Sequence, residues 1–221
     1  MLYYVRPMRR EDVTQVDEID HESFSTQWPP TNYYRELQNK LARYVVVGDE
    51  SRTVKDHEAK TPPVGGISEL ASRVGWLFRH RRFSGRGLSP RETQYIIGFA
   101  GIWALGDEAH LTNIAVRNSH RRQGIGERLL ISIIELAAES NANIVTLEVR
   151  VSNIPAQKLY YKYGFNQVGL RHGYYTDNRE DGLVMSTESI TSASFLACFQ
   201  SLKRAYAVRY GINREESIPM R

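Results

Sequence analysis

The chain has 221 residues, 41% hydrophobic and 24% charged, with a formal net charge of +4, which suits a soluble globular protein of one main domain plus additions. Its single cysteine, Cys198, excludes an internal disulfide and fits a reducing compartment. No apolar run nears the roughly 18–20 residues needed to span a bilayer, and the start MLYYVRPMRRED lacks the apolar core of a signal peptide, so a cytoplasmic protein without membrane contact is expected.

In chain order, YYVRPM reads as a short strand. REDVTQVDEIDHESF reads as a helix, because Val13, Val16 and Ile19 recur at three-residue steps and acids stand early in the run. STQWPP breaks that helix, and Trp28 within it reads either as a specificity residue or as a core plug. TNYYRELQNK predicts a second helix with Thr31 as its N-cap. RYVVVGD is a strand of β-branched residues. Periodicity then fails over residues 51–94, where Pro62, Pro63, Gly65, Gly66, Gly85, Gly87 and Pro90 punctuate the chain. Structureless loops beyond about 12–15 residues are uncommon inside a compact domain, so this stretch reads as an insertion between two strands of one hairpin. Within it, residues 73–91 hold six arginines and no acid, interleaved with Trp76, Phe78 and Phe83. That mixture could meet RNA phosphates and bases. It equally fits a solvated, partly disordered insertion.

YIIGFAGIWAL and EAHLTNIAV are the next strands. In the second, Leu111 and Ile114 leave strict alternation, which predicts a bulge near Thr112 and Asn113. GERLLISIIELAAES predicts an amphipathic helix with Leu129, Leu130, Ile133, Ile134 and Ala137 on one face. NIVTLEV is a strand, and NIPAQKLYYKY a short helix ended by Gly164. FNQVGLRHGYYT and DGLVMST are two strands joined by DNRED, and Phe195, Phe199, Leu202 and Tyr206 repeat at helical spacing in the tail. The order predicts an α/β architecture, with a mixed, mainly antiparallel central sheet and helices on both faces. One domain over residues 1–189, carrying the basic insertion, is expected to be followed by a helical extension over 190–221.

The segment RRQGIG, residues 121–126, opens the amphipathic helix. Gly124 would let the backbone approach a ligand, and Gly126 would free the first turn of a side chain. Backbone N–H groups near residues 122–127 would then point outward toward a pyrophosphate, aided by the helix dipole and by Arg121 and Arg122. Gly-x-Gly alone is also what a tight turn needs. A dinucleotide-binding fingerprint fits poorly, since the third glycine and the ribose-binding acid are missing.

Taken with the upstream LTNIAV and the downstream LEVRVSNIPAQKLYYKYGF and GYYTDNREDGLVM, this loop resembles the GNAT superfamily of acyl-CoA-dependent N-acetyltransferases. The superfamily's loop has the form Arg/Gln-x-x-Gly-x-Gly/Ala, matched by Arg121 or Gln123 with Gly124 and Gly126. The resemblance is greater to RimI-type and archaeal-type N-terminal amino-group acetyltransferases, and the RimI branch acetylates the N-terminal alanine of ribosomal protein S18. It covers residues 95–188 well, 3–49 loosely, and neither the insertion nor the tail.

The resemblance implies acetyl-CoA as co-substrate, no metal, and direct attack of an amine on the thioester through a tetrahedral intermediate. An α-amino group has a pKa near ~7.7–8.0, so a base must take its proton. Glu148 matches the branch's basic glutamate; it also reads as a solvent-facing residue between Leu147 and Val149. Tyr160 matches the tyrosine that would protonate the leaving thiolate and line the coenzyme site; it also reads as a packing aromatic. Tyr160 and Tyr163 would share a helix face that Tyr161 does not. Coenzyme contacts are expected from Ile114, Ala115 and Val116, whose amides would face the pantetheine arm and the oxyanion. Others are expected from Arg121, Arg122, Gln123, Gly124, Ile125, Gly126 and Glu127, and from Asn153, which also reads as a helix N-cap. GYYT, residues 173–176, would grip the first substrate residues.

The implied acceptor is a protein or peptide N-terminus, with a ribosomal protein as the branch's own. A lysine, a polyamine or another small amine is the alternative for the same fold. An RNA- or ribosome-binding module that uses the arginine-rich insertion is the third.

Overall fold

The computed structural model describes residues 3–24, 30–55 and 92–211. Seven strands are β1 (Tyr3–Pro7), β2 (Ala42–Lys55), β3 (Glu92–Leu105), β4 (Glu108–Val116), β5 (Ile144–Arg150), β6 (Phe165–Tyr175) and β7 (Glu180–Thr187). Five α-helices are α1 (Val13–Ser23), α2 (Tyr33–Glu36), α3 (Ile125–Glu139), α4 (Ile154–Lys162) and α5 (Ala193–Tyr210). The strands form one sheet in the order β1-β2-β3-β4-β5-β7-β6, antiparallel throughout except for the parallel β4–β5 pair. This is the mixed, mainly antiparallel α/β sheet that the element order predicts.

Helices cover both faces. On one face, Val13, Val16 and Ile19 of α1 and Tyr33 of α2 pack with Tyr44, Val46, Ile96, Phe99 and Ala115. On the other, α3 lays Leu129, Leu130, Ile133, Ile134 and Ala137 against Val45, Val47, Ile97, Ala100 and Ile102. The burial of α3 goes beyond the expected stripe, since Ile131, Ser132 and Leu136 are buried as well. Phe199 and Tyr206 of α5 belong to the same core, so the C-terminal helix closes over this side of the domain. Leu129→Ala leaves a cavity in that core and is expected to cost about 2–5 kcal/mol, read as a lowered midpoint in urea denaturation.

The bulge falls where the alternation breaks. Ile102 faces Leu111 and Gly101 faces Asn113, so Thr112 is the extra residue. Its hydroxyl donates to the Gly101 carbonyl at 3.1 Å. The bulge flips the strand's faces: Ala109 and Leu111 lie in the α3 core before it, and Ile114 and Val116 pack there after it, while Ala115 turns to the α1 face.

Two expectations change. The cap of α2 is Asn32, whose side-chain oxygen accepts from the Arg35 amide at 3.1 Å. Thr31 stands one residue too early for that bond, and the helix is one turn long, shorter than its ten-residue sequence run. The hairpin ladder also extends further than periodicity shows, with Thr53, Val54 and Lys55 paired to Gln94, Thr93 and Glu92 beyond a register shift. Residues 51–55 and 92–94 are therefore strand. Trp28 and the arginine-rich 73–91 stretch lie outside the described residues. Among the described residues, no helix is long and apolar enough to cross a membrane.

Candidate active site

β4 and β5 pair at only three positions, Glu108 with Ile144, Ala109 with Val145 and His110 with Thr146. Beyond His110 the strands part, and among the described residues no strand pairs with the β5-side edge of β4 from Thr112 to Val116. Arg117 N–H donates to the Ile97 carbonyl of β3 at 2.9 Å. Amides alternate sides along a strand, so those of Val116 and Ile114 turn to the open edge, whereas that of Ala115, expected to serve there too, turns to β3. The end of β4 is fixed by Arg117, whose guanidinium donates to the Ile96 carbonyl at 2.9 Å and to Glu18 and Glu22 of α1 at 2.6 and 2.9 Å.

The chain passes from this edge straight into the glycine loop. Gly124, at φ +83°, is the N-cap of α3, a backbone conformation that a side chain resists. Arg122 holds φ +63°. From Arg122 to Glu127, six consecutive amides donate to no acceptor among the described residues, while the next, Arg128, donates to the Gly124 carbonyl at 3.0 Å. Bare amides at a helix start, aligned with its dipole, form a concavity suited to phosphate. The loop is steadied from outside: Gln123 accepts from the Tyr3 hydroxyl at 3.0 Å, and Arg121 donates to the Val116 carbonyl at 3.2 Å. Not every side chain of the loop faces the opening. Ile125 is buried in the core, and Glu127 is held by Lys162 and by the Tyr163 hydroxyl at 2.8 Å, so these two offer chiefly their backbone.

Glu148 lies on β5 two residues past the last β4–β5 pair. Its side chain is only 7% exposed, which removes the solvent-facing reading. One carboxylate oxygen lies 3.2 Å from His110 Nε2 and the other 3.0 Å from the Arg171 guanidinium of β6. The hydrogen bond from His110 holds this carboxyl below the usual carboxylate range; burial opposes that, and the charges of His110 and Arg171 reinforce it. His110 Nδ1 is 2.9 Å from the Thr146 hydroxyl, which in turn donates to Glu108. A polar chain thus runs from Glu148 through His110 and Thr146 to Glu108. The far wall is β6, where Arg171 lies over the Tyr174 ring at 5.3 Å. Arg150 covers the Tyr175 ring at 3.9 Å and is paired with Asp177 and Glu180.

Tyr160 of α4 and Tyr163, the residue that caps its C-terminus, are both buried, and Tyr161 is exposed. Burial, with a smaller contribution from Tyr175, pushes the Tyr160 hydroxyl well above the ordinary phenol range. Its ring centroid is 5.7 Å from that of Phe165. Asn153 caps α4, accepting from the Ala156 amide at 3.3 Å, and Gly164 ends the helix at φ +83°. Among the described residues, no group of three or more His, Cys, Asp or Glu is arranged for a metal.

Sequence reasoning missed His110, Thr146, Glu108 and Arg171. A weak signal existed: His110 and Thr146 are polar residues alternating with core positions on strands that otherwise read as apolar.

Residues 52–165 match the Acetyltransferase (GNAT) family, and the chain belongs to it: it is an N-acetyltransferase. It is 35% identical over 182 residues to the putative [ribosomal protein bS18]-alanine N-acetyltransferase of Bacillus subtilis (strain 168), covering 82% of this chain and 92% of that one. It is 44% identical over 82 residues to the [ribosomal protein bS18]-alanine N-acetyltransferase of Escherichia coli (strain K12), covering 36% of this chain and 55% of that one. The crystal structure of the ribosomal-protein-S18-alanine N-acetyltransferase from Escherichia coli superposes with a TM-score of 0.61 at 22% identity, over 87% of this chain and 97% of that one, which shows the common fold.

Proposed function

We propose that the protein acetylates the N-terminal α-amino group of a protein, and that the N-terminal alanine of ribosomal protein S18 is the acceptor to test first. The observation that carries the coenzyme half of this reading is the run of unsatisfied amides from Arg122 to Glu127, opening beside the splayed edge of β4. The names of the similar enzymes support the acceptor.

Acetyl-CoA supplies the acetyl thioester. The amides of residues 122–127 hold its diphosphate, with Arg121 and Arg122 adding charge. The Ile114 and Val116 amides line the pantetheine arm and stand ready for the carbonyl oxygen as it gains charge. Glu148, directly or through a water, takes the proton that the attacking amine must lose. Tyr160 gives a proton to the departing sulfur; its buried hydroxyl is protonated at neutral pH. Asn153 combines its capping role with a contact to the coenzyme arm. Tyr174 and Tyr175 on β6 border the acceptor's first residues.

The test is turnover of acetyl-CoA against three acceptors: a peptide with the free S18 N-terminal alanine, the same peptide N-terminally blocked but carrying a free lysine, and a polyamine. Acetylation confined to the free N-terminus is expected, located by mass spectrometry. Turnover of the lysine or the polyamine instead moves the acceptor to that class. Absence of acetyl-CoA binding by the wild-type protein removes the proposed role of the loop amides.

A further inference from the structure

The last helix reaches the coenzyme loop. A Cβ placed on Gly124 would lie 2.3, 2.6 and 2.7 Å from Cζ, Oη and Cε2 of Tyr210, so the phenol ring rests directly on this glycine. Gly124 is the residue that turns the chain from the loop into α3. The ring's position is itself fixed. Tyr210 is the final residue of α5, and Gly211, at φ +65°, ends the helix with its amide bonded to the Ala207 carbonyl. The Tyr206 ring lies 4.7 Å from the Tyr210 ring, and Tyr206 and Phe199 are buried in the α3 core. An ion pair between Lys203 and Glu135 ties α5 to α3 two turns further along. The Phe199 ring meets Tyr163 at 6.3 Å, and Tyr163 holds Glu127 in the first turn of α3. Helix α5 therefore braces the glycine loop twice, directly through Tyr210 and indirectly through Tyr163 and Glu127.

We propose that Tyr210 is a positioning residue for coenzyme binding, its ring acting as a wedge that holds Gly124 in the left-handed turn and so keeps the loop amides aimed at the diphosphate. A loop whose amides must converge on one ligand binds best when the arrangement already exists before the ligand arrives. Without the wedge, glycine is free to explore both halves of backbone space, and that freedom must be lost again on binding. The contact is specific to ring packing, so phenylalanine should serve as well as tyrosine. The inference rests on the proposed role of the loop as the coenzyme site.

The experiment compares wild type, Tyr210→Ala, Tyr210→Phe and Val208→Ala by titration calorimetry with acetyl-CoA and by steady-state kinetics on the S18 peptide. Val208 is 84% exposed on the same turn and controls for disturbance of the helix end. The apo melting temperature is recorded for each. Tyr210→Ala should raise the Kd and KM for acetyl-CoA about tenfold, the loss of one aromatic packing contact, with kcat and the peptide KM within about twofold of wild type. Tyr210→Phe and Val208→Ala should match wild type. An unchanged or tightened Kd in Tyr210→Ala overturns the wedge, as does a fall in kcat at unchanged Kd. If wild type itself shows no heat with acetyl-CoA, the reading of the loop fails first, and that arm alone reveals it.

Discussion

Glu148→Gln is expected to lower kcat/KM by about 10²–10⁴-fold, the usual contribution of a positioned general base. The amide keeps the shape of the side chain and can still face His110 and Arg171, but it has no basic oxygen to take a proton from the amine. Acetyl-CoA binding should be unchanged, because the loop amides are on another element. The pH profile gives an independent check. Glu148 is held below the usual carboxylate range, chiefly by the His110 hydrogen bond, so the wild-type base stays ionised across the neutral range and loses its charge only at distinctly acidic pH. The rise in wild-type kcat/KM between about pH 6 and 8 should therefore follow release of the proton from the substrate amine, whose ordinary pKa is near ~7.7–8.0. A carboxylate so depressed is a weak base on its own, and the water-mediated route suits it. A Glu148→Gln rate within about threefold of wild type would remove this residue from the chemistry.

Tyr160→Phe carries the second large effect, again about 10²–10⁴-fold in kcat. The substitution removes a single oxygen and leaves the ring to pack on Phe165, so the fold and the α4 face should persist. A loss of rate with unchanged melting temperature is the expected pairing. The raised pKa of this hydroxyl keeps it from acting as a base at neutral pH and makes it a weaker acid, so donation rests on the thiolate forming directly beside it. Loss of stability matched by a small loss of rate would instead assign Tyr160 to packing.

Features legible in the sequence are those whose cause is local. The bulge at Thr112 shows as a fault in alternation, because a single extra residue exchanges the two faces of a strand. Gly164 and Asn153 announce the ends of α4, since helix termini demand particular residues within one turn. The core face of α5 follows from spacing, and that of α3 only in part, since Ile131, Ser132 and Leu136 are buried beyond the expected stripe. What escaped depends on distant partners. Gln15 bonds the Gln94 carbonyl and the Ile96 amide across 79 and 81 residues, and no pattern within α1 reveals it. The setting of Glu148 is assembled from His110 on β4 and Arg171 on β6, so the sequence could nominate the carboxylate but not its neighbours. The far ends of β2 and β3 lack clear alternation because residues 50–53 and Gln94 are exposed, and only their pairing identifies them.

The parting of β4 from β5 also bears on how the molecule coheres. With three residue pairs across that junction, the sheet is two smaller sheets sharing a short seam. Helix α3 packs mainly on β2, β3 and β4 and reaches across to β5 more lightly, so it bridges the seam between the halves. Excavating its interior would let the two halves lose cooperativity with each other before either one unravels.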